Sequence, residues 1–127
     1  MEAVKYEPKL HFSQICEWAK KRGLSPLPSS GFPKTGRIVV NKCALFLYKT
    51  DSDVGFVENM ISSPDSEKSE IPEALDLCFA GLDLDAKEMG VRFLFGSSFI
   101  PAVADHAKRN GYIVKPESYR LLAKEIT

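Results

Sequence analysis

Nowhere in the 127 residues does an apolar run approach the ~18 that a membrane-spanning helix needs. An excess of one charge is missing too: seventeen basic and seventeen acidic residues cancel. That balance disfavours nucleic acid as a partner, because such binding relies on phosphate neutralisation by a basic surface. Cysteine is scarce. Cys16, Cys43 and Cys78 are odd in number and widely spaced, so no metal knuckle or redox pair is expected, and buried reduced thiols are the simplest reading. The opening residues Met1-Glu2-Ala3-Val4-Lys5 carry no apolar signal core, which predicts a cytoplasmic protein with no membrane partner. Repeats and low-complexity tracts are also absent.

What is present suffices for a core. Hydrophobic residues make up 44% of the chain, and 127 residues form one domain, 1–127, that buries roughly two-thirds of its unfolded surface. A short strand is expected at Val4–Tyr6, then a helix from about Ser13 to Arg22 with basic residues in its last turn. The proline-rich stretch from Ser25 to Pro33 reads as a loop. Three strands follow, at Gly36–Val40, Ala44–Lys49 and Gly55–Ser62, with Asn41-Lys42 and Thr50–Asp53 as turns. A polar loop, Ser63–Ile71, leads into the longest helix, Pro72–Glu88. Its stripe of Leu75, Cys78, Phe79, Leu82, Ala86 and Met89 is widened by Leu77 and Leu84. Val91–Gly96 is apolar without clean alternation and predicts a central strand covered on both faces. A helix at Pro101–Arg109 and strands at Tyr112–Lys115 and Tyr119–Lys124 complete the order. A strand–helix–strand crossover places Gly55–Ser62 beside Val91–Gly96 in parallel.

This order resembles the GNAT acetyltransferase superfamily over most of the chain. Three segments carry the resemblance: Met60-Ile61-Ser62-Ser63-Pro64 as the apolar strand and its exit, Pro72–Gly90 as the cofactor helix, and Phe99–Tyr112 ending Arg109-Asn110-Gly111-Tyr112. The fold implied is α/β (α+β): a mixed, mostly antiparallel sheet of about seven strands, with a central parallel pair and helices on both faces.

The resemblance implies acetyl-CoA as co-substrate, held where the two parallel strands splay. Its pantetheine arm would pair with Met60, Ile61 and Ser62, and its pyrophosphate would rest on backbone N–H groups at the long helix's N-terminus. The family's Arg/Gln-x-x-Gly-x-Gly/Ala loop is not matched here. Glu67, Glu70 and Pro72 stand at its marked positions, Asp65 and Glu73 add further carboxylates, and Lys68 is the sole cation close in sequence. Pro72 also lacks an N–H. Lys68 and the backbone of Ser69, Glu70 and Ile71 are therefore the candidate pyrophosphate contacts, with Ser98 at the mouth of the cleft.

Among catalytic candidates, Glu58 is a carboxylate on an otherwise apolar strand, suited to deprotonating an amine; its plainer role is an outward-facing polar residue. Ala107 occupies the position of the family's thiolate-protonating Tyr. Its neighbour His106 is the substitute acid, or else a solvated helix residue. Ser98 also suits a helix cap, and Trp18 suits the core, although Trp18 and Leu27–Phe32 match the family's acceptor region.

Three functions fit these residues. One is an N-acetyltransferase acting on a small-molecule or protein primary amine by direct attack. A second is a catalytically inactive binding protein that has lost acetyl-CoA. The third is an acyltransferase-like domain using another acyl donor, or a nucleotide-like ligand. The charge balance also permits a homodimer.

Overall fold

Strand residues 43–47, Cys-Ala-Leu-Phe-Leu, are all buried, so this strand must be covered on both faces. The computed structural model, which describes residues 1–26, 28–98, 100–115, 124 and 126, shows how. Five strands form one sheet in sequence order: β1 (Val4–Lys5), β2 (Gly36–Val39), β3 (Cys43–Lys49), β4 (Val54–Ser62) and β5 (Phe93–Gly96). Pairing is antiparallel from β1 to β4 and parallel between β4 and β5.

Helix α2 (Ile71–Glu88) lies against β2 and β3. Its Ala74, Leu75, Cys78, Phe79, Leu82 and Ala86 meet Val39, Cys43, Leu45, Leu47 and Val57 in one apolar cluster. The alternate residues Ile38, Ala44 and Phe46 point the other way and pack with Tyr6, Ile15 and Trp18, the last two on α1 (Pro8–Lys21). Helices therefore cover both faces of a mixed sheet, as expected. Trp18 is core.

Several boundaries differ from the sequence reading. α1 begins at Pro8, five residues early, because Pro suits the first helical turn. The β2–β3 turn centres on Val40-Asn41: Lys42 N–H donates to Val39 O at 2.9 Å, and Asn41 takes the left-handed conformation (φ 68°). Leu84 does not widen the buried stripe of α2; it is exposed.

The expected central strand is shorter and lies elsewhere. β5 is at the sheet edge among the described residues, so the parallel pair is not central, and Phe93 and Phe95 are more than half exposed. Val91 instead belongs to the end of α2, where its N–H reaches Ala86 O at 2.9 Å. An apolar run reports burial propensity without saying which neighbours exist.

Five strands are therefore described rather than about seven. Tyr112–Lys115 is not a strand. After α3 (Pro101–Arg109), Tyr112 N–H folds back to Ala107 O at 3.1 Å and its ring packs on Phe79 of α2. The strand expected at Tyr119–Lys124 falls, except for Lys124, outside the described residues, as do Leu27 and Phe99. No helix among the described residues is long and apolar enough to cross a membrane.

Candidate functional site

The parallel pair is short on one side. β5 pairs with β4 only from Val54↔Phe93 to Val57↔Gly96, while β4 runs on to Ser62. Glu58–Ser62 therefore have no strand beside them on that side among the described residues. Gly96 sets the parting point: a Cβ there would sit 2.7 Å from Val57 O, so only glycine allows this last close approach.

β4 also carries a bulge. Phe46 pairs with Glu58 and Ala44 with Ile61, so Asn59 and Met60 together oppose Leu45. Asn59 absorbs the extra residue in the left-handed conformation (φ 58°), which Asn tolerates better than most side chains. Glu58 and Ile61 consequently share the α1 face, while Met60 packs into the α2 cluster.

At the parting point the Ser97 hydroxyl donates to Glu58 Oε1 at 3.2 Å. Burial pushes the Glu58 carboxyl above its ordinary range, and the Ser97 contacts offset part of that rise. Tyr48 stands on the same face: its hydroxyl donates to Gly31 O at 3.3 Å and accepts from the Asn59 side-chain amide. Burial raises the Tyr48 pKa, and the nearby Glu58 charge adds to it. Sequence reasoning missed Tyr48 and Asn59. The signal was register, since the short β3–β4 turn brings Tyr48 back toward the Glu58 segment.

The loop after β4 is less hostile to an anion than its sequence implies. Lys68 is not its only cation. Lys21, from the last turn of α1, pairs with Asp65, and Lys42, from the β2–β3 turn, pairs with Glu70. Three cations thus face four carboxylates. Of the candidate donors, Glu70 N–H is taken by Glu67 O at 3.0 Å. Those of Ser69 and Ile71 find no backbone acceptor among the described residues, and they are the ones that could hold a pyrophosphate. Arg22 donates to Ser62 O at 2.9 Å and to its hydroxyl at 2.8 Å, fixing the exit of β4. The Ser98 hydroxyl accepts Ile100 N–H at 3.1 Å, a local turn just before α3.

His106 lies elsewhere, between α3 and α2. Its Nδ1 is 3.0 Å from Asp76 Oδ1 and 2.6 Å from Arg109 Nη2, so it donates to the one or accepts from the other. Arg109 and Asn110 also donate to Asp76, at 2.9 and 3.1 Å. Burial alone would raise the Asp76 pKa, but the hydrogen bonds from His106, Asn110 and Arg109 outweigh it and hold the carboxyl low. No contact joins His106 to Glu58.

Cys43 and Cys78 are buried free thiols, as expected. They face each other across the α2 cluster with sulfurs 4.0 Å apart, and the Cys43 contact, with burial, raises the Cys78 thiol pKa. Both are reduced, and Cys16 is only half-buried. Among the described residues no group of three or more His, Cys, Asp or Glu is placed to hold a metal ion.

Two solved structures share this arrangement along nearly their whole lengths. A probable acetyltransferase superposes with a TM-score of 0.67 at 10% identity, covering 98% of this chain and 99% of its own. An acetyltransferase of Trypanosoma brucei superposes with a TM-score of 0.60 at 13% identity, covering 96% and 99%. The fold is acetyltransferase-like. At such identities the likeness concerns the fold alone, since function resides in the site. No protein-family model matches the sequence, and no curated protein matches it either.

Proposed function

We propose that the chain is an N-acetyltransferase of the GNAT type, transferring acetyl from acetyl-CoA to a primary amine by direct attack. The observation that carries this reading is Glu58: a carboxylate of raised pKa at the point where β4 and β5 part, bonded by Ser97 and facing the α1 side. The open side of Met60–Ser62 would hold the pantetheine arm. The N–H groups of Ser69 and Ile71, with Lys68, would hold the pyrophosphate, because Lys21 and Lys42 offset Asp65 and Glu70. When bound, acetyl-CoA supplies an acyl group already activated as a thioester.

Glu58 takes a proton from the incoming amine, directly or through one water. The amine nitrogen bonds to the acyl carbon, and the carbon–sulfur bond breaks. The departing thiolate takes its proton from water, since His106 is engaged at Asp76. A base must be deprotonated to act, so the rate falls as pH drops through the Glu58 pKa. The raised pKa places that fall above the range of an ordinary carboxylate.

Isothermal calorimetry with acetyl-CoA tests the reading, with CoA and an unrelated nucleotide as controls. Saturable binding at micromolar to sub-millimolar affinity is expected, and Glu58→Gln should then lower transfer by about 10²–10⁴-fold while binding persists. No heat at millimolar ligand and an unchanged melting temperature would overturn it in favour of an inactive binding protein. The observation on that side is a helix start where Pro72 offers no N–H and the Glu70 N–H is already occupied.

A further inference from the structure

A cavity of about 170 Å³ opens on the α1 face, lined in part by the β4 residues that follow Glu58 in sequence. Its floor is Asn59, Met60 and Ile61 of β4, and its walls include Ile15, Ala19 and Phe32. Leu24 and Pro26 close the rim. Among the described residues the lining is apolar apart from Ser25 and Asn59 and contains no charged side chain. The Arg22 guanidinium at the end of α1 is committed to Ser62.

Three arguments fix what such a site would take. The first is side. Glu58 faces α1, the same face on which this cavity opens, so an amine carried by a body seated there meets the base without crossing the sheet. The second is size. An apolar cavity of about 150 Å³ accommodates benzene, so this one suits a single six-membered ring or a short branched alkyl group. The third is charge. A polycation would need carboxylates along the wall, and an amino acid would need a cation for its carboxylate; the described lining offers neither.

We infer that this cavity is the acceptor site and that the acceptor is a small monoamine with an apolar body, an arylalkyl or branched alkyl amine without a carboxylate. The inference rests on the acetyltransferase reading for its chemistry but not for its binding. A strand advances about 3.3 Å per residue. A body seated on Asn59–Ile61 therefore needs a linker of two or three methylenes to bring its amine to Glu58.

The test uses 2-phenylethylamine, phenylalanine and spermidine as probes, titrated by NMR into the full chain without acetyl-CoA. The result expected is saturable binding of 2-phenylethylamine at least tenfold tighter than either other probe. Ala19→Leu, which fills the cavity, should weaken it at least tenfold. Ala19 is buried, so enlarging it tests folding as well as binding, and Leu24→Asp at the exposed rim serves as a second variant. It should narrow or reverse the preference over spermidine. The inference is overturned if 2-phenylethylamine fails to saturate by 10 mM, if either charged probe binds as tightly, or if the folded variants bind like the parent. Acetyl-CoA calorimetry is read separately, so failure of the donor reading leaves this result interpretable.

Discussion

The two faces of the sheet are built from alternate residues of the same strands, yet they hold different things. The α2 face is packed mainly with aliphatic side chains, together with Phe79 and two thiols, and its buried Asp85 is matched: Arg37 crosses over Gly81 to grip it with bonds of 2.8 and 2.7 Å. The α1 face is aromatic and incompletely filled. It combines Tyr6, Phe32 and Phe46 with a cavity, a network of Tyr48 and Asn59, and the exposed pair Phe56 and Phe95. Cohesion is concentrated on one face and reactive groups on the other. Loosening the second to admit a ligand therefore need not disturb the first.

The largest effect should come from breaking the match on the α2 face. Arg37→Leu strands the Asp85 carboxylate, which is 5% exposed, and should cost about 3–5 kcal/mol in urea unfolding. The double variant Arg37→Leu/Asp85→Leu should recover most of that loss, because it buries no unpaired charge. A single variant costing under about 1 kcal/mol would erase the contrast between the faces.

A smaller effect is expected at the bulge. Asn59→Val forces a β-branched residue into the left-handed region and should cost about 1–2 kcal/mol. Asn59→Gly keeps the backbone and loses only the bond to Tyr48. If both variants melt together, the bulge is not set by residue 59.

The smallest test concerns the α2–α3 contact. Asp76 has a lowered pKa in the folded chain, so its contribution is present above the unfolded value near 4 and is lost as pH falls through the lower folded value. Asp76→Asn should therefore cost about 1 kcal/mol at pH 7, given its partial exposure, and progressively less as pH falls through the lowered folded value. A cost that persists in acid would mean that the cluster is held by shape rather than charge.

Local rules made much of this legible in the sequence. The α2 stripe, the limits of α3 and the three consecutive strands follow from periodicity and from proline at helix starts. Glu58 was visible as a lone carboxylate in an apolar strand. The meetings of distant residues were not. Lys21 with Asp65 and Lys42 with Glu70 bring together positions 44 and 28 apart, and only the tertiary fold supplies such neighbours. The approach of Cys43 to Cys78 is of the same kind. Asn59, of a type depleted in strands and tolerant of positive φ, is the one local sign of the bulge, and sequence alone does not say which residue opposes it; the depth of β5 is not legible because an apolar run carries no count of its neighbours.

The bulge also makes β4 a strand of two parities. Before Asn59 the odd residues Gly55 and Val57 turn toward α2; after it the even residue Met60 does. Deleting Asn59 would remove the bulge and leave regular alternation, with Glu58 and Ile61 still on the α1 face, whereas deleting both Asn59 and Met60 would make them neighbours and send one of the two through the sheet. A one-residue loss in this segment is thus absorbed by the bulge and a two-residue loss is not, which ties the aim of the Glu58 carboxylate to a simple count of residues.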